Sequence, residues 1–304
     1  MLYRGLTVVA LAGVCFCLTG CPSSSGDGDG VSLQQRYADA QAIVSPNVRA
    51  SALIDVARDQ HIAGDVNGAT QSLSDAFAAA GETDDAVAKS HAFNTLAAAQ
   101  AEFGSKSGAD DALKEARKAA SGIGDALIRS EQLGMIAVTY GAKLDEPNKA
   151  TAYLKQANDA IGDILGEQLK SEATIALAYS YHQVGDADQA KQLTEDATEL
   201  ANAIADPGSR ADALANISGK LTLMGDSAGA EARFNESVQV AEQISDQTTK
   251  AHVLADLGFT MLQAGDRARA QTLLDKASAA AEQIQDPGLK REAEATIAGY
   301  LNEL

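Results

Sequence analysis

Apolar residues recur along most of the chain at helical spacing, and the pattern repeats about forty residues later. Leu53, Phe93, Leu133, Leu214 and Leu254 are followed three positions on by Val56, Leu96, Ile136, Ile217 and Leu257, with Thr174 and Leu177 in those places of a further copy. A small residue comes next, as Ala57, Ala97, Ala137, Ala178, Ser218 and Gly258. The i, i+3, i+4 spacing predicts a helix, and the small residue lets a neighbouring helix approach. A second stripe follows in every copy: Ala69-Leu73-Ala76, Ala109-Leu113-Ala116, Ala150-Leu154-Ala157, Ala190-Thr194-Ala197, Ala230-Phe234-Ser237 and Ala270-Leu274-Ala277. Each copy is therefore a pair of helices, and a period of this length predicts a stacked array.

The junctions are written in capping chemistry. Between the two stripes stand Gly64-Asp65, Gly185-Asp186, Gly225-Asp226 and Gly265-Asp266, with Gly104 in the second copy. Glycine suits a left-handed residue just past a helix, and the aspartate after it can cap the next one. Copies are joined by Ile204-Ala-Asp206-Pro207, Ile244-Ser-Asp246 and Ile284-Gln-Asp286-Pro287, with Asp as N-cap and Pro in the first turn. Ile43-Val-Ser45-Pro46 has the same form, which predicts a lone helix before it. The third copy carries one extra residue around Asp145-Glu146-Pro147. A base opens every copy: Arg49, Lys89, Arg129, Lys170, Arg210, Lys250 and, in a truncated seventh, Lys290. Its distance from Asp85, Asp125, Asp206, Asp246 and Asp286 predicts i, i+4 ion pairs in the first turn, each contributing a few tenths of a kcal/mol.

The order of large apolar, apolar, small, then Gly, then Ala, Leu/Phe, Ala resembles the tetratricopeptide repeat, with the second helix lengthened. The resemblance covers about residues 49–290. The family's early Trp is missing, its late Pro is displaced, and only Tyr140 and Tyr181 keep its first-helix Tyr. The resemblance implies an all-α, right-handed helix-pair solenoid of about fourteen helices. The expected organisation is a cleaved leader over 1–20, a tether over 21–32, a capping helix over 33–48, six repeats over 49–290 and a C-terminal capping helix over 291–304.

The first residues have a different character. Arg4 precedes an apolar run from Gly5 to Leu18, which is too short to span a bilayer and reads as a secretory leader. Leu18-Thr19-Gly20-Cys21 resembles the lipobox of bacterial lipoproteins, which implies cleavage between Gly20 and Cys21 and lipidation, palmitate included, of the Cys21 thiol and amine. Cys15 and Cys17 would leave with the leader, so Cys21 is the one cysteine of the mature chain and has no disulfide partner. Pro22 to Gly30 contains no apolar side chain beyond proline and reads as a flexible tether. Pro rather than Asp after the cysteine resembles the sorting signal for the outer rather than the inner membrane, so the expected location is the cell envelope.

Composition narrows the chemistry. Aromatics are 4% with no Trp, so the core is built of Ala, Leu, Ile and Val, which suits closely packed helices. A net charge of −18 argues against nucleic acid and against adsorption to anionic head groups, leaving the lipid as the membrane attachment. The four histidines fall in distant copies, and metal, phosphate-loop and nucleophile motifs are absent from the sequence, so neither a catalytic residue nor a metal or other cofactor is expected. The family resemblance places a groove on first-helix positions outside the core stripe: Arg58 and His61; Glu172, Ile175, Tyr179 and His182; His252 and Phe259. The Lys and Asn of the family's carboxylate clamp are not reproduced, so recognition of a peptide C-terminus is not implied. The expected function is a lipid-anchored scaffold that holds protein partners in envelope assembly, with a purely structural envelope lipoprotein as the alternative.

Overall fold

The computed structural model describes residues 31–304; the leader, the Gly20–Cys21 junction and most of the tether lie outside the described residues. Six antiparallel helix pairs follow a short helix α1 (Leu33–Gln41): α2 (Pro46–Ile62) with α3 (Val66–Glu82), α4 (Ala86–Glu102) with α5 (Lys106–Ser121), and α6 (Ala126–Val138) with α7 (Pro147–Gly162). The series continues with α8 (Glu167–Gln183) and α9 (Ala187–Ala203), α10 (Pro207–Leu223) and α11 (Ser227–Glu242), and α12 (Gln247–Gln263) and α13 (Arg267–Glu282), closed by α14 (Pro287–Leu301). Among the described residues there is no strand. The chain is a helix-pair solenoid.

The caps stand where the sequence places them. Gly64, Gly104, Gly185, Gly225 and Gly265 take φ between 79° and 89°, a region open to glycine at little steric cost. Asp65, Asp186, Asp226 and Asp266 then accept the backbone N–H three residues on. In the third copy the extra residue is absorbed by a π-helical turn over Thr139–Lys143 and by Asp145 at φ 57°. A polar clamp braces this irregular stretch: the Tyr140 hydroxyl (3.0 Å) and Lys149 ammonium (2.7 Å) both donate to Asp110. Those donors, with Lys114, hold the Asp110 carboxyl down at about 2.

Five of the seven opening bases do something other than the expected i, i+4 pairing. The aspartate four residues earlier is occupied as an N-cap, accepting from Ala88, Ile128, Ser209, Thr249 and Leu289 amides. The base reaches backwards instead. Arg49, Arg129 and Arg210 donate to the carbonyls of Ile43, Ile123 and Ile204, and Lys250 and Lys290 to those of Glu242 and Glu282. Arg49 and Arg129 also pair with Glu82 and Asp163 at the far end of their own copy's second helix. A cation at the carbonyl end of a helix satisfies orphan acceptors and favours the dipole. The base thus ties the end of one copy to the start of the next.

Each first helix packs on both helices of the preceding copy. α2, α4, α6, α8, α10, α12 and α14 each pack on the next in line, whereas successive second helices make no comparable contact. The layer whose members lie closer together is the inner side of a curved stack, so the first helices form the concave face. Gly134 marks one close approach, since a Cβ there would stand 2.9 Å from the Ser180 hydroxyl on α8. The buried core divides into two clusters, one from Ala40 to Ala230 and one from Ala211 to Ile297, which overlap in sequence at α10 and α11.

Candidate functional site: the inner face of the solenoid

An interior first helix has four neighbours: its own second helix, the second helix of the copy before, and the first helices of the copies before and after. Most of its circumference is therefore buried, and one narrow stripe is left for the concave surface. That stripe runs two, six and nine or ten residues after the opening base. The position two residues after it holds Ser51, His91, Glu131, Glu172, Asp212, His252 and Glu292 in succession.

The expected groove residues fall into three patches rather than one site. Near the N-terminal end, Arg58 is engaged by Asp55 at 3.4 Å and by Glu102 of the next first helix at 3.5 Å. His61 is exposed and stacks on Phe103 with ring centroids 4.1 Å apart, at the edge of a cleft that faces the second helices through Leu73 and Phe77. In the middle, Glu172 is exposed and Tyr179 half-buried, with the Lys220 ammonium 5.5 Å from the Tyr179 ring centroid. His182 is exposed near the end of the same helix. Towards the C-terminus, His252 is half-buried, and Phe259 stacks on Tyr300 of the closing helix at 4.6 Å.

Ile175 does not belong to the groove. Its side chain is 0% exposed. It stands five residues after the opening base, as Ile54 (1%), Asn94 (7%) and Ala255 (1%) do, and all four are buried. Phe259 is in part a packing residue as well, since its stacking on Tyr300 helps to seat α14.

Four charged residues of the inner face escape a reading based on aromatic anchors: Glu131, Asp212, Asp256 and Lys220. The signal for Glu131 and Asp212 is the copy-to-copy alignment itself, which sets them at the height of Glu172 on the helix between them, while Asp256 stands one turn further along its own helix. Each carboxylate reaches solvent, yet stands on the concave side with protein on several sides. Desolvation raises the Glu131 carboxyl, Glu172 raises it further, and Lys220 opposes the shift. Desolvation, then Asp256 and Asp206, push Asp212 up to about 6. Desolvation raises Asp256 too, against the pull of His252 and the Tyr300 hydroxyl.

The Asp212 shift fixes a pH dependence. A carboxyl whose native pKa stands above its ordinary value binds its proton more tightly in the folded state, so this group costs stability as pH rises from about 4 to about 6. A shift of that size corresponds to roughly 3 kcal/mol. Asp212 is solvent-accessible, so screening reduces the expected cost to about 1 kcal/mol. Asp212→Asn is therefore expected to stabilise the fold by about 1 kcal/mol at neutral pH and by little at pH 4. Urea unfolding at both pH values reads this directly, and an equal change at both would contradict it.

Among the described residues no three His, Cys, Asp or Glu side chains converge in a metal-holding group. No described helix is long and apolar enough to cross a membrane.

No protein-family model matches the chain, and no curated protein does. Solved structures similar to it include Ton1535 from Thermococcus onnurineus NA1, at 12% identity over 86% of this chain and 94% of that one, with a TM-score of 0.37. BtubC (BKLC) from P. vanneervenii is 18% identical over 69% of this chain and 91% of that one, with a TM-score of 0.38. The apo quorum sensor NprR from B. thuringiensis is 16% identical over 88% and 73% respectively, with a TM-score of 0.31.

Proposed function

We propose that this protein is a lipoprotein scaffold of the cell envelope, tethered through lipid on Cys21, that holds protein partners along the inner face of its solenoid. It acts by binding, without catalysis. The observation that carries the reading is the inner face itself. Six repeats keep a continuous stripe of first-helix side chains facing one side, with Tyr179, Lys220 and Glu172 accessible at its centre. The leader, the lipobox-like Leu18-Thr19-Gly20-Cys21 and the sole mature cysteine support the anchor, and the proline after it supports an outer-membrane location.

A photo-crosslinking residue at Tyr179, compared with one at Gln192 on the second helix α9, tests the scaffold reading in the native envelope. Discrete protein adducts are expected from the inner position alone, identified by mass spectrometry. Tyr179→Ala is expected to cut recovery of the same partner by about tenfold, with helicity unchanged, since loss of one aromatic anchor costs about 1–2 kcal/mol of binding. Identical adduct patterns from both positions would overturn the reading in favour of an envelope spacer. The sequestering of Arg58, His61 and Phe259 by internal partners is the observation that favours that second reading.

A further inference from the structure

Some acids of the molecule, Asp55 of the inner face among them, are ion-paired and others are not. Glu82, Glu102, Asp110, Asp163 and Glu242 each have a Lys or Arg within ion-pair distance. Glu131, Glu172, Asp212 and Asp256, on the successive first helices α6, α8, α10 and α12, take part in no ion pair among the described residues. Glu131 is repelled by Glu172, and Asp212 by Asp256, with Lys220 and His252 offsetting part of that repulsion.

A second observation lies next to the first of these acids. Three residues after the opening base the copies carry Ala52, Ala92, Ala173, Ala213, Val253 and Ala293, but the third copy carries Gln132. Gln132 is only 6% exposed, and its Oε1 has no hydrogen-bond partner. It lines a cleft of about 590 Å³ between α2, α4 and α6, with Val48, Ile54, Ser51, His91 and Thr95 around it. An unpaired buried acceptor costs about 1–3 kcal/mol, where alanine would cost nothing. A donor in that cleft would remove the penalty once the side chain turned its oxygen outward.

Spacing defines the form of the occupant. Packed helices stand about 8–10 Å apart. Three residues of an extended polyproline-type backbone advance about 9 Å. A chain lying across the stack therefore offers one side chain per copy, at every third residue.

We propose that the inner face binds an extended basic protein segment, whose Lys or Arg side chains at every third position meet Glu131, Glu172 and Asp212 while an N–H donor seats on Gln132. This rests on the reading of the inner face as a partner site, and it adds the chemistry of the partner.

The test uses the described chain and two synthetic peptides of identical composition, one with Lys at every third position and one with the lysines clustered. The spaced peptide is expected to bind at least about tenfold tighter, and to lose affinity with added salt as exposed charge pairs do. Glu172→Lys is expected to weaken it by about tenfold or more. Gln132→Ala puts the residue of the other copies in place, so it is expected to fold at least as stably while weakening the spaced peptide several-fold. Equal binding of the two peptides, or Gln132→Ala binding unchanged, overturns the proposal. If Tyr179-directed adducts form in the envelope while neither peptide binds, the scaffold reading stands and the basic-segment inference alone falls.

Discussion

Replacing Phe93 by alanine is expected to destabilise the N-terminal copies by about 3–5 kcal/mol, the usual cost of emptying an aromatic site in a core. Phe93 is 2% exposed on α4 and meets Phe77 of the preceding copy edge-on, with centroids 5.1 Å apart. The cluster it belongs to is rich in fully buried alanine, with Ala76, Ala80, Ala97, Ala116 and Ala120 among its members. A methyl group has no rotamers with which to fill a vacated volume, so an alanine-rich core collapses poorly and the cost should fall at the upper end. The loss should also be local. In a solenoid each copy contacts only its neighbours, and the buried core is already divided at α10 and α11. Hydrogen exchange should therefore show α2 to α5 losing protection while α12 to α14 keep theirs. A uniform loss along the chain would mean that the two clusters behave as one cooperative unit, against this expectation.

The same local logic explains what was legible in the sequence. Helix pairs, their glycine turns and their aspartate caps could be read because each is written within a few residues: Gly225 and Asp226 need only the backbone beside them. The partner of the opening base could not. Arg129 lies four residues from Asp125 and six from Ile123, and sequence spacing favours the carboxylate; the structure commits that carboxylate to the Ile128 amide and sends the guanidinium to the carbonyl. The π-helical turn at Thr139–Lys143 was visible only as a one-residue excess, since a backbone can hide such an excess in several ways.

The groove was the least legible part, for a related reason. A helix packed on both helices of one copy, on its own second helix and on the next first helix carries apolar residues around most of its circumference, so no single polar stripe announces the side left open. Ile175 looks available beside Glu172 and Tyr179 within its own copy, yet its side chain is fully buried. Glu131, Asp212 and Gln132 emerge only when the copies are aligned and then stacked. Gln132 in particular is conspicuous as the one amide in a column of alanine and valine.

The anchor carries the second large expected effect. Cys21→Ser, placed behind an ordinary secretory leader, is expected to move essentially all of the protein from the membrane to the soluble fraction. Each acyl chain contributes about 0.8 kcal/mol per buried methylene, so two or three chains hold a protein on a bilayer for as long as the thioether lasts. Nothing in the charge of the chain replaces that: at −18 it is repelled by anionic head groups, and no described helix is long and apolar enough to cross a membrane. The repeats should be indifferent to the change, because residues 22–32 stand in sequence between Cys21 and the first helix at Leu33. Circular dichroism and the thermal midpoint should therefore match the lipidated protein in detergent. Mass spectrometry of the wild-type N-terminus supplies the positive control, with acyl mass on a chain that begins at Cys21. Sedimentation of the serine variant with membranes after a high-salt wash would contradict the lipid anchor, and would direct attention to the partner held on the inner face as the means of attachment.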